Sequence, residues 1–469
     1  MVFEKTSAGT AQGAGRILYR SSNGISEPVD FKTVLLRGQA PDGGLYMPTR
    51  IPGFGLAEIE LMRGRSYSDI AFKVMYRFLD GEMGPCALRR MTNGVYCFPV
   101  TLKQVYDRKY LLWLDGGPTL SFKDFATGMM SRLVQYYIRN DGRNLTILTA
   151  TSGDTGSAVA AAFHKLENIE CVILFPKSRV TEIQRRQMTT LRGNIKTFAV
   201  DGSFDDCQAM VKQAFSDPEL RELNLSSANS INVGRLLPQI VQYFYAYSKV
   251  ADGAGEKLVV SVPCGNFGHI TAGVLAKRMG LPVERFVVAT NANDEFPRFM
   301  ETGRYMPVIP SKDCISNAMS VGHPSNLIRI IGLYGGEMDA SGRITTMPDM
   351  GAMKREIFAV SISDDETRRT MKEVYANRNI MIEPHGAVAW AGLMSYLRRE
   401  GDWNPCVSFE TANPGKFQDE ILRTVGVEPE LPPVLRKLGE LDESFETIPN
   451  DYGVFKRALM QRRGRGAQG

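Results

Sequence analysis

The stretch Leu145-Thr-Ile-Leu-Thr-Ala-Thr-Ser-Gly-Asp-Thr-Gly-Ser-Ala-Val-Ala-Ala-Ala-Phe163 decides how this chain folds. Its apolar start, Leu145 to Thr149, reads as a buried strand. A Gly-rich loop follows, then an Ala-rich helix through Phe163. The same order recurs downstream. Glu170 to Phe175 reads as a strand, Thr181 to Leu191 as a helix, Ile195 to Val200 as a strand and Phe204 to Phe215 as a helix. Leu258 to Val262 is again a strand, followed by Gly265-Asn-Phe-Gly268, a helix to Met279, a strand Phe286 to Ala289 and a last strand Cys406 to Glu410. Such alternation predicts an α/β fold, a largely parallel sheet covered by helices. Ligands of these sheets sit beyond the carboxyl ends of the strands. The loops after 149, 262 and 410 therefore surround one site, if those strands are neighbours.

Composition narrows the function classes. The 469 residues are 43% hydrophobic and 23% charged, which is ordinary for a globular protein and excludes disordered, collagen-like and coiled-coil chains. A net charge of +5 over this length is too weak to argue for nucleic acid or a membrane surface. The cysteines are 86, 97, 171, 207, 264, 314 and 406, an odd set without a C-x-x-C, which argues against a disulfide framework or a structural zinc. The histidines, 164, 269, 323 and 385, show no paired spacing, so no catalytic metal is expected. There is no basic start followed by an apolar run, and no apolar window of bilayer length. A cytoplasmic protein is expected. Residues 1–16 and the basic stretch 456–469 read as loose ends, and 17–110 as mixed helix and loop.

Four segments carry chemistry. Thr149 to Ser157 places five hydroxyls and two glycines between a strand and a helix. A helix N-terminus with free N–H groups binds anions. Capping alone accounts for one or two of these residues. Pro263-Cys-Gly-Asn-Phe-Gly-His269 repeats the logic, with glycines that let the backbone approach a phosphate closely. Neither G-x-G-x-x-G nor a P-loop occurs, which argues against dinucleotides and nucleotide hydrolysis. Gly117-Pro-Thr-Leu-Ser-Phe-Lys-Asp-Phe125 sets Lys123 between two phenylalanines. Such a lysine is usually solvated. Aromatic burial would instead lower its pKa and leave an amine able to form a Schiff base. Asn229 to Arg235 adds amides and a guanidinium, the side chain that grips phosphate with two prongs. The alternative there is a helix-initiating turn with a surface arginine.

Taken together, seven segments resemble the threonine synthases of the longer bacterial and fungal type. They are 40–48 (APDGGLYMP), 117–125 (GPTLSFKDF), 148–160 (LTATSGDTGSAVA), 229–235 (NSINVGR), 262–268 (VPCGNFG), 383–389 (EPHGAVA) and 411–417 (TANPGKF), in the family's order across roughly 19–430. The resemblance implies a fold type II pyridoxal 5'-phosphate enzyme (tryptophan synthase β-like), with two doubly wound α/β domains interleaved over 111–455 behind an N-terminal extension. It implies that Lys123 carries the cofactor as a Schiff base and shuttles protons. Gly265, Asn266, Phe267, Gly268 and His269 would wrap the cofactor phosphate. Asp154 would lie near the 3'-oxygen, and Thr411 would bond the pyridine nitrogen and leave it unprotonated. Thr151, Ser152, Thr155, Asn229 and Arg235 would hold the substrate's phosphate and carboxylate. The implied reaction turns O-phospho-L-homoserine and water into L-threonine and phosphate. The implied partner is that small phosphorylated amino acid, with no nucleic acid and no membrane, and the protein a monomer or homodimer.

The chain departs from the family pattern at four places. Gly116 and Asn413 stand where the family has His, Ser320 where it has Asp, and His269 where it has Asp or Asn; Gly415 also replaces the Ala of the last motif. These departures motivate one alternative on the same scaffold, a phospho-lyase or β-replacement enzyme acting on O-phosphothreonine, O-phosphoserine or an analogue.

Overall fold

The computed structural model describes residues 15–461 except 179, 340 and 404. Two sheets organise the molecule. The first is wholly parallel, with strands in the order Glu446–Pro449, Ile195–Asp201, Ile169–Pro176, Leu145–Ala150 and Leu225–Ser227. The second runs Ile357–Ser361, Val283–Thr290, Leu258–Pro263, Cys406–Glu410, Lys109–Trp113 and Thr101–Tyr106. Only its last pair is antiparallel. Every residue of Leu145–Ala150 and of Cys406–Glu410 is buried, as expected of strands covered by helices on both faces. The chain enters the second sheet at Thr101, leaves after Trp113 to build most of the first, and returns at Leu258. The chain thus passes from the second sheet to the first and back.

The expected segment boundaries shift. Position 110/111 falls inside the strand Lys109–Trp113, because the antiparallel hairpin Thr101–Trp113 pairs with the sheet rather than with the extension. Position 456 falls inside a helix, Tyr452–Gln461, whose Phe455 and Leu459 pack on the first sheet's core. The expectation of a loose end holds for none of 456–461, and 462–469 lie outside the described residues, as do 1–14.

The extension is more ordered than mixed helix and loop. Strands Tyr19–Ser21 and Tyr46–Pro48 pair antiparallel, and the Asp42 carboxylate ties the turn between them by accepting from Ser21 Oγ, Gly44 N and Ser26 N. The helix Tyr67–Leu79 lays Tyr67 against Phe125 and Tyr245, with ring centroids 4.9 and 5.1 Å apart. Tyr96 donates to the Phe125 carbonyl at 3.0 Å. This aromatic cluster backs the start of the helix Lys123–Asp141 and fixes it from behind.

Candidate active site

The strands ending at Pro263 and Glu410 are neighbours, as the expectation of one common site requires, whereas the strand ending at Ala150 belongs to the other sheet. The loops still meet, because the carboxyl ends of both sheets open on one cleft. Lys123, Asp154, Thr151, Ser152, Thr155, Asn229, Arg235, Gly265, Asn266, Phe267, Gly268, His269 and Thr411 all line a single cavity there. The sequence-selected residues are therefore brought together without exception.

Lys123 opens its helix. The turn before it is locked by Asp124, whose carboxylate accepts from Thr119 N at 2.8 Å and Thr119 Oγ1 at 2.6 Å. Main-chain bonds from Phe122 N to Thr411 O and from Asn413 N to Leu120 O zip this turn to the segment after the strand Cys406–Glu410. Burial lowers the proton affinity of the Lys123 amine, against the pull of Asp154.

The loop on the first sheet depends on Gly153, at φ +145°, a conformation that L side chains rarely adopt; a Cβ there would lie 2.6 Å from the Gln184 side chain. Thr151 Oγ1 accepts from Gly153 N at 3.0 Å and Gly156 N at 2.8 Å, so its hydroxyl shapes the loop from within. Asp154 begins the helix Asp154–Phe163. Burial opposes its charge, but Lys416 and then Lys123 overcome that and hold the carboxyl well below the usual carboxylate range. It is an anion throughout the physiological range.

The loop on the second sheet is built differently. Phe267, at φ +60°, turns the chain into the helix Gly268–Arg278, and its ring is anchored on Phe296 at 4.9 Å. Asn266 spends its side chain on neighbouring loops, accepting from Ser325 N at 2.6 Å and donating to Ser230 Oγ at 3.1 Å. The His269 ring is stacked between Phe122 and Phe409, centroids 5.0 and 4.8 Å away, and neither ring nitrogen has a hydrogen-bond partner. Burial pushes its pKa down to about 3, so it is neutral and adds no charge to the loop. What this loop offers an anion is backbone N–H groups.

Arg235 is 2% exposed. Its Nη1 donates to the Ala228 carbonyl at 2.6 Å, while Nε has no partner. Asn229 donates to the Ala150 carbonyl at 2.8 Å and so joins this segment to the first sheet. Thr411 donates to Glu383 Oε1 at 3.2 Å. Its hydroxyl is thus engaged by a carboxylate, where the expectation had a ring nitrogen.

Sequence reasoning passed over four residues. Lys416 lies on Asp154, and Gln184 Nε2 donates to Asp154 Oδ1 at 3.0 Å. Glu383 accepts from His385 N at 2.6 Å, from His385 Nδ1 at 2.5 Å and from Gly386 N at 3.0 Å. His385 Nε2 accepts from Ala318 N at 3.1 Å, which fixes the proton on Nδ1. The motifs E-P-H-G and N-P-G-K-F were the available signal for three of them, the first opening the helix Pro384–Glu400 and the second following the strand Cys406–Glu410, while Gln184 lies in neither.

The residues present suit pyridoxal phosphate. An amine whose proton affinity burial lowers, a helix start at Gly268, and a buried guanidinium whose Nε has no partner share one cavity. Fold and site together define a fold type II pyridoxal-phosphate enzyme. The family model "Pyridoxal-phosphate dependent enzyme" matches residues 110–409, "Threonine synthase N terminus" matches 18–96, and "Threonine synthase, C-terminal" matches 386–459. The threonine synthase of Serratia marcescens is 38% identical over 93% of this chain and 97% of its own length. The crystal structure of the pyridoxal-phosphate-bound threonine synthase from Brucella melitensis superposes with a TM-score of 0.87 at 34% identity, covering 94% of this chain and 98% of that one. That of Escherichia coli gives 0.86 at 36% identity, covering 95% and 100%. The chain belongs to the threonine synthase family. It is a pyridoxal-phosphate-dependent lyase of amino-acid biosynthesis. Among the described residues no helix is long and apolar enough to cross a membrane.

Proposed function

We propose that this chain converts O-phospho-L-homoserine and water into L-threonine and inorganic phosphate, by γ-elimination followed by β-addition of water, with Lys123 as the cofactor-bearing lysine. One observation carries the assignment: the partly buried Lys123 amine shares its cavity with two separate helix starts, at Asp154 and Gly268, and with Arg235, whose Nε has no partner. A cofactor with its own phosphate and a substrate with a leaving phosphate require two anion sites. When bound, the cofactor supplies the electron sink that makes the substrate's Cα–H and Cβ–H acidic.

The chain's own residues do the rest. Gly265, Asn266, Phe267, Gly268 and His269 would hold the cofactor phosphate through the N–H groups at the start of their helix. Asp154, fixed as an anion, would face the 3'-oxygen, and Thr411 the ring nitrogen. Ser152, Thr155, Asn229 and Arg235 would bind the substrate's phosphate and carboxylate, on a loop that Thr151 keeps in shape. Lys123, as the neutral amine, would take the Cα proton and return it at the end. Arg235 stabilises the charge that develops on the departing phosphate. The protein would work in the cytoplasm as a monomer or homodimer, with no nucleic-acid partner.

Substrate choice tests this function. Turnover of O-phospho-L-homoserine should exceed that of O-phospho-L-threonine and O-phospho-L-serine by at least ~10-fold in kcat/KM, the weight of about 1.4 kcal/mol in the transition state. The reverse order would make the protein a phospho-lyase instead.

A further inference from the structure

The proposed chemistry leaves a buried lysine behind the cleft without a task. Lys416 lies in the short turn after the strand Cys406–Glu410 and is 1% exposed. Its Nζ is 2.6 Å from Asp154 Oδ1 and 2.9 Å from the Thr119 carbonyl. Lys123 Nζ stands 3.8 Å from the other oxygen, Asp154 Oδ2. One carboxylate is thus shared by two lysines at unequal distances. The nearer contact is a direct charge-assisted hydrogen bond, and the farther one is longer than any N–H···O bond.

We propose that Lys416 is a positioning residue: by claiming Asp154 as its own close partner, it keeps Lys123 out of a tight ion pair and leaves the Lys123 amine free to bond the cofactor and to accept a proton. The inference rests on Lys123 being the cofactor-bearing lysine.

The backbone sets these distances. Lys416 N donates to Asn413 O, and Asn413 N donates to Leu120 O, so the turn that carries Lys416 is tied to the turn that presents Lys123. Asn413 reinforces it, accepting from Gly415 N at 3.0 Å and donating to Asp115 Oδ2 at 2.8 Å. The Lys416 side chain crosses from there to the first residue of the helix on the other sheet.

The charges around Lys123 give the direction of the effect. Asp154 and Glu383 attract its proton, Lys416 and Arg235 repel it, and the neighbouring His269 is neutral. Burial is the largest reason the proton affinity of the amine is lowered, and Lys416 adds to it. Removing Lys416 would delete a repulsion and also release Asp154 to pair with Lys123. Both changes act in the same direction, and the burial of Asp154 strengthens them.

The test titrates Lys123 directly in the full chain freed of cofactor. Acetic anhydride is applied in pulses from about pH 6 to about pH 11, and peptide mass spectrometry reads the fraction of Lys123 acetylated. In Lys416→Met the midpoint should rise by about one pH unit or more, a tenfold drop in neutral amine. Adding Asp154→Asn to that variant should bring it back down. An unchanged midpoint in folded Lys416→Met overturns the proposal. Should Lys416→Met fail to fold, Lys416→Gln and Lys416→Arg decide: the Lys123 midpoint must rise in Lys416→Gln and stay near the wild-type value in Lys416→Arg, and an unchanged midpoint in Lys416→Gln overturns the proposal. Borohydride reduction of the loaded wild type separately shows which lysine holds pyridoxal phosphate. Attachment elsewhere would overturn the role of Lys123 and leave the titration result standing.

Discussion

The two loops that open helices onto the cleft look alike in sequence and are built on different principles. Around Thr149–Ser157 the business end is a charge: Asp154, an anion held between two lysines. Around Pro263–His269 no side chain brings a charge. Asn266 is committed to other loops, and the histidine ring is neutral and sandwiched between phenylalanines. The first loop is suited to steering protons and the second to gripping a phosphate by backbone alone. A Gly-rich turn at a helix start is thus compatible with either task, and only the fate of its polar side chains separates them.

Mutations can break this contrast. The largest effect should come from Lys123→Ala, which removes the proton carrier: kcat should fall ~10³-fold or more, together with loss of borohydride-fixed cofactor at that peptide. On the same side of the cleft, Asp154→Asn should lower kcat ~10²-fold with little change in cofactor affinity, since it removes a charge near the reacting centre rather than a phosphate contact. Comparable loss of affinity would erase the division of labour. Gly265→Ala should show the opposite split. Its Cβ would meet Met319 Cα at 2.8 Å, so cofactor affinity should weaken ~10-fold, read by fluorescence titration, while kcat at saturating cofactor stays within a few-fold.

The smallest effect is expected at His269. His269→Asn should change kcat less than ~3-fold, because the ring supplies neither charge nor a hydrogen bond. It should instead alter acid stability. Burial puts the folded pKa at about 3, below the ordinary value near 6.5, so the unfolded chain takes up a proton that the folded chain refuses. This contribution is fully present above about pH 6.5 and is lost as pH falls toward the folded value. The melting temperature of the variant should therefore drop less than that of the wild type between about pH 7 and about pH 5.

Much of this was legible in the sequence, and the residues show why. Leu145–Ala150 and Cys406–Glu410 are short apolar runs followed by turn chemistry, a pattern that local physics dictates. The candidate residues sit at strand ends and helix starts, where a parallel sheet must place its ligands. What could not be read is long-range. Nothing near Leu145 says that its strand joins a different sheet from Leu258, and the pairing that decides it connects residues far apart in the chain. Lys416 was passed over for the same reason: its partners are Asp154 and Thr119, and a lysine in a Pro-Gly turn gives no local sign of burial. The hairpin at Thr101–Trp113 was missed because its polar outer strand lacks a clean alternation of apolar residues.

The measurement that tests the central claim most directly is turnover of O-phospho-L-homoserine by the cofactor-loaded protein in ¹⁸O-water, with products identified by NMR and mass spectrometry. Elimination followed by water addition predicts threonine and phosphate in equal amounts, with solvent oxygen in the threonine hydroxyl and none in the phosphate as released. Homoserine with labelled phosphate, or untouched substrate from a protein that carries its cofactor on Lys123, would contradict the account.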